Sequence, residues 1–295
     1  MLPPNSAFDV EEKIFLCGYF RTSGTVASRA LMRRTTTGHV TRIHHRGRDH
    51  RIPWNAARHS GLLASLALAG YGLSFILEGG FMSTRHPVSY LFDPLCGWCY
   101  GAAPMIARLR AEADIDLTSV PSGLFAEDGA FPASEAFAAH AWSADQRIAA
   151  MTGQVFSDAY RRDVLGNRAA HIDSGPATLA LAAVRRTEPD REWEALKAIQ
   201  TARYVDGLDN GDAATVGRIL ADAGFGAAVL RYRDPDAALL SAYRAIIDEG
   251  RSLMRRFAIR GVPALILGQG DSARPLGADY LFGGVGRLLD VIRSV

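Results

Sequence analysis

A C-x-x-C sequence, Cys96-Gly97-Trp98-Cys99, constrains this chain more than any other feature, because of the elements predicted on either side of it. The run Val88–Phe92 is rich in β-branched and aromatic residues, which predicts a buried strand that ends at Asp93-Pro94. A helical pattern then extends from Cys96 to Leu109, and Ile115–Val120 alternates apolar and polar residues as a second strand does. Strand, helix and strand in this order predict a parallel pair in an α/β fold, with both cysteines at the start of the helix.

The next part of the chain is predicted to be almost entirely helical. Within residues 121–232, Ala-rich stretches are separated by Gly, Pro or Asp-Asn-Gly turns, and they cover Ser134–Met151, Pro176–Arg186, Asp190–Val205 and Asp212–Ala223. A long helix follows, for which Asp234 is the predicted cap and Pro235 the first residue. Its apolar and small residues recur between positions 239 and 257 with a 3.6-residue period, so one face must pack on a large surface.

A strand-rich segment closes the chain. The sequence Arg260-Gly261-Val262-Pro263 ends the long helix, and Ala264–Leu267 is predicted to be a buried strand. Tyr280–Phe282 is predicted to be another strand and Val285–Ile292 a final helix. The predicted order is therefore βαβ, a helical block, a long helix and ββα.

The position of the two cysteines at a helix N-terminus has a chemical consequence. Unsatisfied N–H groups and the helix dipole favour an anionic thiolate there, so the pKa of Cys96 should be depressed, while Cys99 lies one turn further in and is shielded. Two cysteines on one turn can form and break a disulfide reversibly. The spacing therefore predicts that Cys96 attacks and that Cys99 resolves the mixed disulfide.

Other candidate site residues are weaker. A closed zinc site needs about four ligands, and beyond the C-x-x-C the body offers only His86, His140 and His171, so we predict no metal site. His140 and His171 are interpreted as helix-surface or loop residues rather than catalytic bases. Asp93 is assigned a turn role beside the motif, and Asp173-Ser174-Gly175-Pro176 is interpreted as a helix start.

The N-terminal 81 residues differ from the body in charge. Residues 1–60 carry ten Lys and Arg against four Asp and Glu, whereas residues 82–295 carry 23 against 26, and the whole chain of 295 residues has three cysteines and a net charge of +2. Residues 61–77 form an uncharged apolar run of 17 residues. Three interpretations stay open for residues 1–81: translated sequence upstream of a true start at Met82, a membrane anchor at 61–77, or a basic tail, predicted to be disordered. Residues 82–295 are predicted to form one domain with a helical insertion at about 121–232.

The body resembles a known family. The segment 92–101, FDPLCGWCYG, followed much later by Gly261-Val262-Pro263 ahead of a buried strand, is similar to DsbA-type thioredoxin-like oxidoreductases over about residues 87–295. The resemblance implies an α/β thioredoxin-like fold with a helical insertion domain. It also implies that Cys96 is the exposed nucleophile and Cys99 the resolving cysteine, and that Pro263 is a cis-proline beside the disulfide. Val262 would offer backbone hydrogen bonds to an extended substrate segment.

The pair between the cysteines departs from the family. Its periplasmic oxidants usually carry Pro-His there, where the His stabilises the thiolate, whereas this chain has Gly97-Trp98. We therefore predict that the pKa of Cys96 lies above the value of about 3.5 typical of such strong oxidants, and that the couple is more reducing. Trp98 is either a substrate-facing aromatic residue or packing over the motif.

These observations favour a thiol-disulfide oxidoreductase, of reductase or disulfide isomerase type, that acts on protein or small-molecule thiols and disulfides. The alternative enzyme class is a glutathione-dependent isomerase or transferase, similar to 2-hydroxychromene-2-carboxylate isomerases and kappa-class glutathione transferases. Those proteins generally lack a complete C-x-x-C, so the intact pair favours redox chemistry. A thiol-dependent binding or chaperone module is a third, non-enzymatic alternative.

Cofactor, partner and compartment follow from the same residues. No cofactor is predicted, and glutathione is the candidate co-substrate. We expect no specific nucleic-acid partner, and a membrane only if 61–77 is an anchor. The predicted location is cytoplasmic, where cysteines are kept reduced, with an inner-membrane-anchored protein facing the periplasm as the alternative.

Overall fold

The computed structural model describes residues 85–295. The predictions made for the extension 1–81 and its apolar run 61–77 lie outside the described residues. In chain order, the strands and α-helices are β1 (His86–Phe92), α1 (Gly97–Ala111), β2 (Ile115–Pro121), β3 (Phe131–Pro132), α2 (Glu135–Thr152), β4 (His171–Ile172), α3 (Gly175–Thr187), α4 (Glu192–Tyr204), α5 (Ala213–Asp222), α6 (Gly226–Arg233), α7 (Ala237–Arg256), β5 (Ala264–Leu267), β6 (Arg274–Leu276) and α8 (Val285–Arg293).

A four-stranded mixed sheet with the order β2-β1-β5-β6 forms the base of the site. β1 is parallel to β2, with Val88 opposite Leu117, and antiparallel to β5, with Val88 opposite Leu267. β5 is buried throughout, and the apolar residues of β1 from Val88 to Phe92 are buried, as in strands covered on both faces. The predicted βαβ unit is therefore confirmed, and α1 begins just beyond the carboxyl end of β1.

Between β2 and α7 the chain is mainly helical, and it also contains a small two-stranded sheet in which Phe131 pairs with Ile172. The sequence did not predict this sheet because its strands have two residues each. α2 begins where the Ser134 hydroxyl accepts a hydrogen bond from the Phe137 N–H at 3.2 Å. A π-helix at Tyr160–Leu165 follows α2 and supplies one residue of the site.

Two glycines allow α2 to approach the first turns of α1. A Cβ atom at Gly97 would strike the Asp145 carboxylate, and one at Gly101 would strike the Ile148 side chain. Gly97 and Gly101 are one turn apart on α1, as Asp145 and Ile148 are on α2, so the two helix faces pack closely over this turn. The helical block consequently touches the very turn that carries the cysteines.

Two sequence predictions at helix and strand ends were wrong. Tyr280–Phe282 is not a strand but part of a 3₁₀-helix, Ala278–Phe282, and the edge strand is β6 instead. The cap of α7 is Asp236, whose carboxylate accepts the Leu239 N–H at 2.7 Å, and not Asp234, which lies at the end of α6. The remainder of α7 agrees with the prediction, since Leu239, Ile246, Ile247 and Gly250 are buried along one face.

Within residues 85–295, no helix is both long enough and apolar enough to cross a membrane.

Candidate active site

The turn between β1 and α1 presents the first cysteine. The Cys96 N–H donates to the Asp93 carbonyl at 3.1 Å, and the Leu95 N–H donates to the Asp93 carboxylate at 2.9 Å. Cys96 itself has extended backbone angles and is the N-cap of α1, whose first helical bond runs from the Tyr100 N–H to the Cys96 carbonyl at 3.1 Å. The predicted position of the cysteine at a helix N-terminus is therefore confirmed.

The Cys96 sulfur lies against the loop that precedes β5. Its Sγ donates to the Val262 carbonyl oxygen at 3.4 Å, and the Val262–Pro263 peptide bond is cis. The cis bond agrees with what the family resemblance implied. The resemblance also implied an exposed nucleophile, and this is corrected, since Cys96 is only 1% exposed beneath the surrounding chain.

Cys99 lies one turn deeper and is equally buried, at 1% exposure. Burial raises its pKa well above the ordinary thiol value, and the hydrogen bond and charge of Cys96 raise it further. Burial and the neighbouring Cys96 therefore favour the protonated form of Cys99. Cys96 and Cys99 are not joined by a disulfide in this structure.

Trp98 points into the protein. Its ring is buried and meets Phe282 edge-on, with ring centroids 5.2 Å apart at 79°. The 3₁₀-helix that was misread as a strand thus supplies the packing partner of the motif. Contact of Trp98 with a substrate stays a prediction.

Asp93 does more than shape a turn. Its buried carboxylate also accepts the Phe125 N–H at 3.1 Å and the Ser174 hydroxyl at 2.8 Å, so it joins the end of β1 to the helical block. Burial outweighs these bonds and raises the pKa of Asp93 to about 6. Ser174, interpreted from sequence as a helix-start residue, does precede α3, but its hydroxyl binds Asp93 instead of capping the helix.

A second buried carboxylate, Asp145 on α2, was missed by sequence reasoning. It is 3% exposed, its Oδ2 accepts the Tyr160 hydroxyl at 3.0 Å, and it occupies the space that a side chain at position 97 would need. Burial raises the pKa of Asp145 to about 7, while Tyr160 and Arg203 act in the opposite direction. The one sequence signal for it was the glycine beside Cys96, which points to a close neighbour without naming it.

An aromatic cluster fixes the motif from the side of the helical block. The Tyr204 hydroxyl donates to the Leu95 carbonyl at 2.8 Å, and its ring stacks on that of Tyr100 with centroids 4.6 Å apart. Phe156 and Tyr160 meet the Tyr204 ring at steeper angles. Leu95, the residue before Cys96, is thus held by a side chain 109 positions later in the sequence.

Residues 85–295 contain no group of three or more His, Cys, Asp and Glu side chains arranged to hold a metal ion. His140 is half-buried on α2, in agreement with the interpretation as a helix residue, whereas His171 is exposed on the short strand β4.

Comparison with known proteins gives matches among solved structures. No model of a known protein family matches the chain, and no curated protein does either. The cytosolic disulfide reductase DsbM from Pseudomonas aeruginosa superposes with a TM-score of 0.62 at 28% sequence identity, covering 71% of this chain and 100% of that chain. This chain therefore has a DsbA-like thioredoxin fold. The structure of DsbM with GSH matches with a TM-score of 0.59 at 27% identity, over 71% of this chain and 100% of that chain.

The DsbA-like chain thus has the fold and enzyme class that the C-x-x-C and the Gly-Val-Pro sequence predicted, those of a thiol-disulfide oxidoreductase. A protein from Nitrosomonas europaea also shares the fold, with a TM-score of 0.57 at 22% identity, over 71% of this chain and 98% of that chain.

Proposed function

We propose that this DsbA-like protein reduces or isomerises disulfides of proteins or small molecules through a mixed disulfide on Cys96. The observation that carries the proposal is the placement of the Cys96 sulfur 3.4 Å from the Val262 carbonyl, with the buried Cys99 thiol one turn behind it. A nucleophile, a resolving thiol and an extended backbone segment beside them are what disulfide exchange with a substrate requires.

The reaction would proceed in two displacements. The Cys96 thiolate attacks one sulfur of the substrate disulfide, the substrate S–S bond breaks, and the second substrate sulfur leaves as a thiolate and takes up a proton. Cys99 then loses its proton and attacks the Cys96 sulfur, which breaks the mixed disulfide and releases the first substrate thiol. Two electrons pass to the substrate, and the protein keeps the Cys96–Cys99 disulfide.

The raised pKa of Cys99 supports this order of events. Burial and the neighbouring Cys96 charge keep Cys99 protonated in the resting dithiol. Once Cys96 is bonded to a substrate sulfur it has no negative charge, so one of the causes that raise the pKa of Cys99 disappears. Resolution therefore becomes easier only after the mixed disulfide has formed.

Val262 would hold the substrate. Its carbonyl faces the nucleophile and lies in the short loop before β5, where an extended segment could pair with the backbone. Because Cys96 is buried, a substrate must displace this loop contact or present a narrow disulfide. We propose Trp98 as a further contact, reached when its packing against Phe282 opens.

Glutathione is the proposed thiol that returns the protein to its dithiol form. Two glutathione molecules would reduce the Cys96–Cys99 disulfide and leave as glutathione disulfide, which balances the two electrons. The structure of DsbM with GSH supports this proposal, as does the Gly-Trp pair, which lacks the thiolate-stabilising His of strong oxidants. A reducing compartment, the cytoplasm, is the proposed location.

Insulin reduction with glutathione as the electron source tests the proposal. The wild-type chain should catalyse it, Cys96→Ser should abolish it, and Cys99→Ser should accumulate a mixed disulfide that mass spectrometry detects. Cys17→Ser is the matched control, because it removes the remaining cysteine of the chain and should leave the rate unchanged. Equal activity of Cys96→Ser and wild type would refute the function.

Glutathione conjugation that survives Cys99→Ser would identify the transferase alternative, and client binding that survives loss of both cysteines would identify the chaperone alternative.

A further inference from the structure

The carboxylate of Asp145 lies at the first turn of α1, beside the nucleophile. One of its oxygens fills the space where the Cβ of residue 97 would stand, and residue 97 directly follows Cys96. The glycine in the C-x-x-C and the aspartate on α2 therefore form a matched pair. A larger residue at position 97 would expel the carboxylate from the site.

The surroundings hold Asp145 in this place. The Tyr160 hydroxyl donates to its Oδ2 at 3.0 Å from the π-helix. On α4, the guanidinium of Arg203 lies 5.6 Å from the centre of the Tyr160 ring and 5.8 Å from that of Tyr204, and it is itself 2% exposed. Arg203 is also 3.0 Å from the Asn210 amide oxygen and 3.7 Å from Asp209, so its charge is shared with other partners.

We propose that Asp145 is a positioning residue that sets the redox potential of the Cys96–Cys99 pair, through its carboxylate at the start of α1. This inference rests on the proposed function of the dithiol. An ionised Asp145 repels the Cys96 thiolate across a buried, low-dielectric gap, and the disulfide form carries no such charge. The repulsion exists only in the reduced form, so it destabilises that form relative to the disulfide. The carboxylate therefore makes the couple more reducing.

The repulsion between Asp145 and the Cys96 thiolate should increase as the pH rises. The groups that face Asp145 are Cys96 on the turn before α1, Tyr160 on the π-helix, and Arg203 and Tyr204 on α4. Burial raises the pKa of Asp145 to about 7, so the carboxyl is neutral in acid and ionised in mild base. The repulsion is therefore absent well below pH 7 and complete well above it.

Asp145 would act through the charge of the thiolate and not by bonding to a substrate. No bond forms or breaks at Asp145 in either displacement step. Its isosteric amide, Asp145→Asn, keeps the shape beside Gly97 and removes the charge, which separates the electrostatic role from the packing role.

The test is the equilibrium of the full chain with reduced and oxidised glutathione, measured at two pH values. At about pH 8, Asp145→Asn should lower the equilibrium constant for forming the protein disulfide about tenfold, which corresponds to about 30 mV for a two-electron couple. At about pH 6, where Asp145 is already neutral, the two proteins should agree within about twofold. Glu135→Gln, which removes an exposed charge from the same helix, is the matched control and should change neither value.

Tyr160→Phe gives an independent variant. Loss of its hydrogen bond removes an interaction that lowers the pKa of Asp145, so the pH at which the potential changes slope should move upward. A shift of equal size at both pH values in Asp145→Asn, or no shift at about pH 8, would overturn the inference. The proposed function fails separately, if the wild-type dithiol forms no Cys96–Cys99 disulfide with glutathione. Circular dichroism checks that each variant is folded. If Asp145→Asn does not fold, Tyr160→Phe keeps the inference testable.

Discussion

The hydroxyl of Tyr204 donates a 2.8 Å hydrogen bond to the carbonyl of Leu95, the residue immediately before Cys96. Both groups are buried, and Tyr204 comes from the last turn of α4, far along the sequence. The turn that carries the dithiol is therefore held by the helical block as well as by the sheet.

Removal of this hydroxyl should weaken the fold and loosen the turn. In Tyr204→Phe, the Leu95 carbonyl loses its donor in a buried place, which costs about 1–3 kcal/mol of unfolding free energy in urea denaturation. The matched control is Tyr232→Phe, which removes a similar 3.1 Å bond from a tyrosine to the Ala213 carbonyl. Both variants should lose stability, but only Tyr204→Phe should change the rate at which Cys96 reacts with a thiol reagent. Identical reactivity in both variants would contradict a role of Tyr204 at the dithiol.

The match between Gly97 and Asp145 predicts a coupled pair of substitutions. Gly97→Ala should destabilise the protein by about 1–3 kcal/mol, because its methyl group competes with a hydrogen-bonded carboxylate. In the Asp145→Ala background the same change should cost less than about 1 kcal/mol, since the space has been vacated. Gly286→Ala on α8, where a Cβ atom meets nothing within 4 Å, is the control and should not destabilise. Additive effects in the double variant would show that the two residues do not compete for space.

Asp93 predicts that stability falls as the pH rises through the weakly acidic range. Burial raises its folded-state pKa to about 6, above its unfolded value, so the unfolded chain ionises first. The free energy of unfolding should begin to fall near pH 4 and should have lost about 3 kcal/mol in total above pH 6. Urea denaturation of wild type and Asp93→Asn at both ends of this range isolates the effect. Asp93→Asn should lower the free energy of unfolding more in acid than at neutral pH.

The control for this prediction has the opposite sign. Asp212 caps α5, and the hydrogen bonds from Thr215 lower its pKa. It therefore stabilises the fold above its unfolded pKa and loses this contribution in acid. Asp212→Asn should be more harmful at neutral pH than in acid, and the same pH trend in both variants would refute the assignment to Asp93.

Trp98→Phe separates packing from substrate contact. The smaller ring keeps an aromatic partner for Phe282, so the unfolding free energy should fall by only about 1–2 kcal/mol. If Trp98 also contacts the substrate, KM for insulin should rise severalfold while the potential of the dithiol stays unchanged. Trp193→Phe, on α4, is the matched control for tryptophan loss, and an equal KM in both variants would leave Trp98 with packing alone.

Local patterns predicted the parts of the fold that depend on neighbouring residues. The alternation of Ile115–Val120, the long stripe of α7 and the apolar run Ala264–Leu267 each determine one element, and the structure has all three. Three-residue patterns are ambiguous, so Tyr280–Phe282 was misread. Asp234 and Asp236 flank the same proline, and only the register of the helix decides which of them is the cap.

The candidate site, like the fold, was predictable from sequence only where it depends on neighbouring residues. The cysteines and their place at a helix start follow from sequence alone, because they are local. Three residues of the site, Asp145, Tyr160 and Arg203, come from three separate elements and meet only through packing. Their spacing along the chain therefore does not indicate that they are neighbours. The burial of Cys96 likewise depends on a loop 166 residues away.

The bond from Cys96 to Val262 depends on a hydrogen atom that oxidation removes. In its protonated form, Cys96 donates to the Val262 carbonyl. Once the sulfur is joined to Cys99, that carbonyl has lost its donor and must find another, from water or from the main chain of a bound molecule. In the proposed reaction, the Val262 carbonyl is therefore occupied in the reduced protein and available to the backbone N–H of a bound molecule in the oxidised protein.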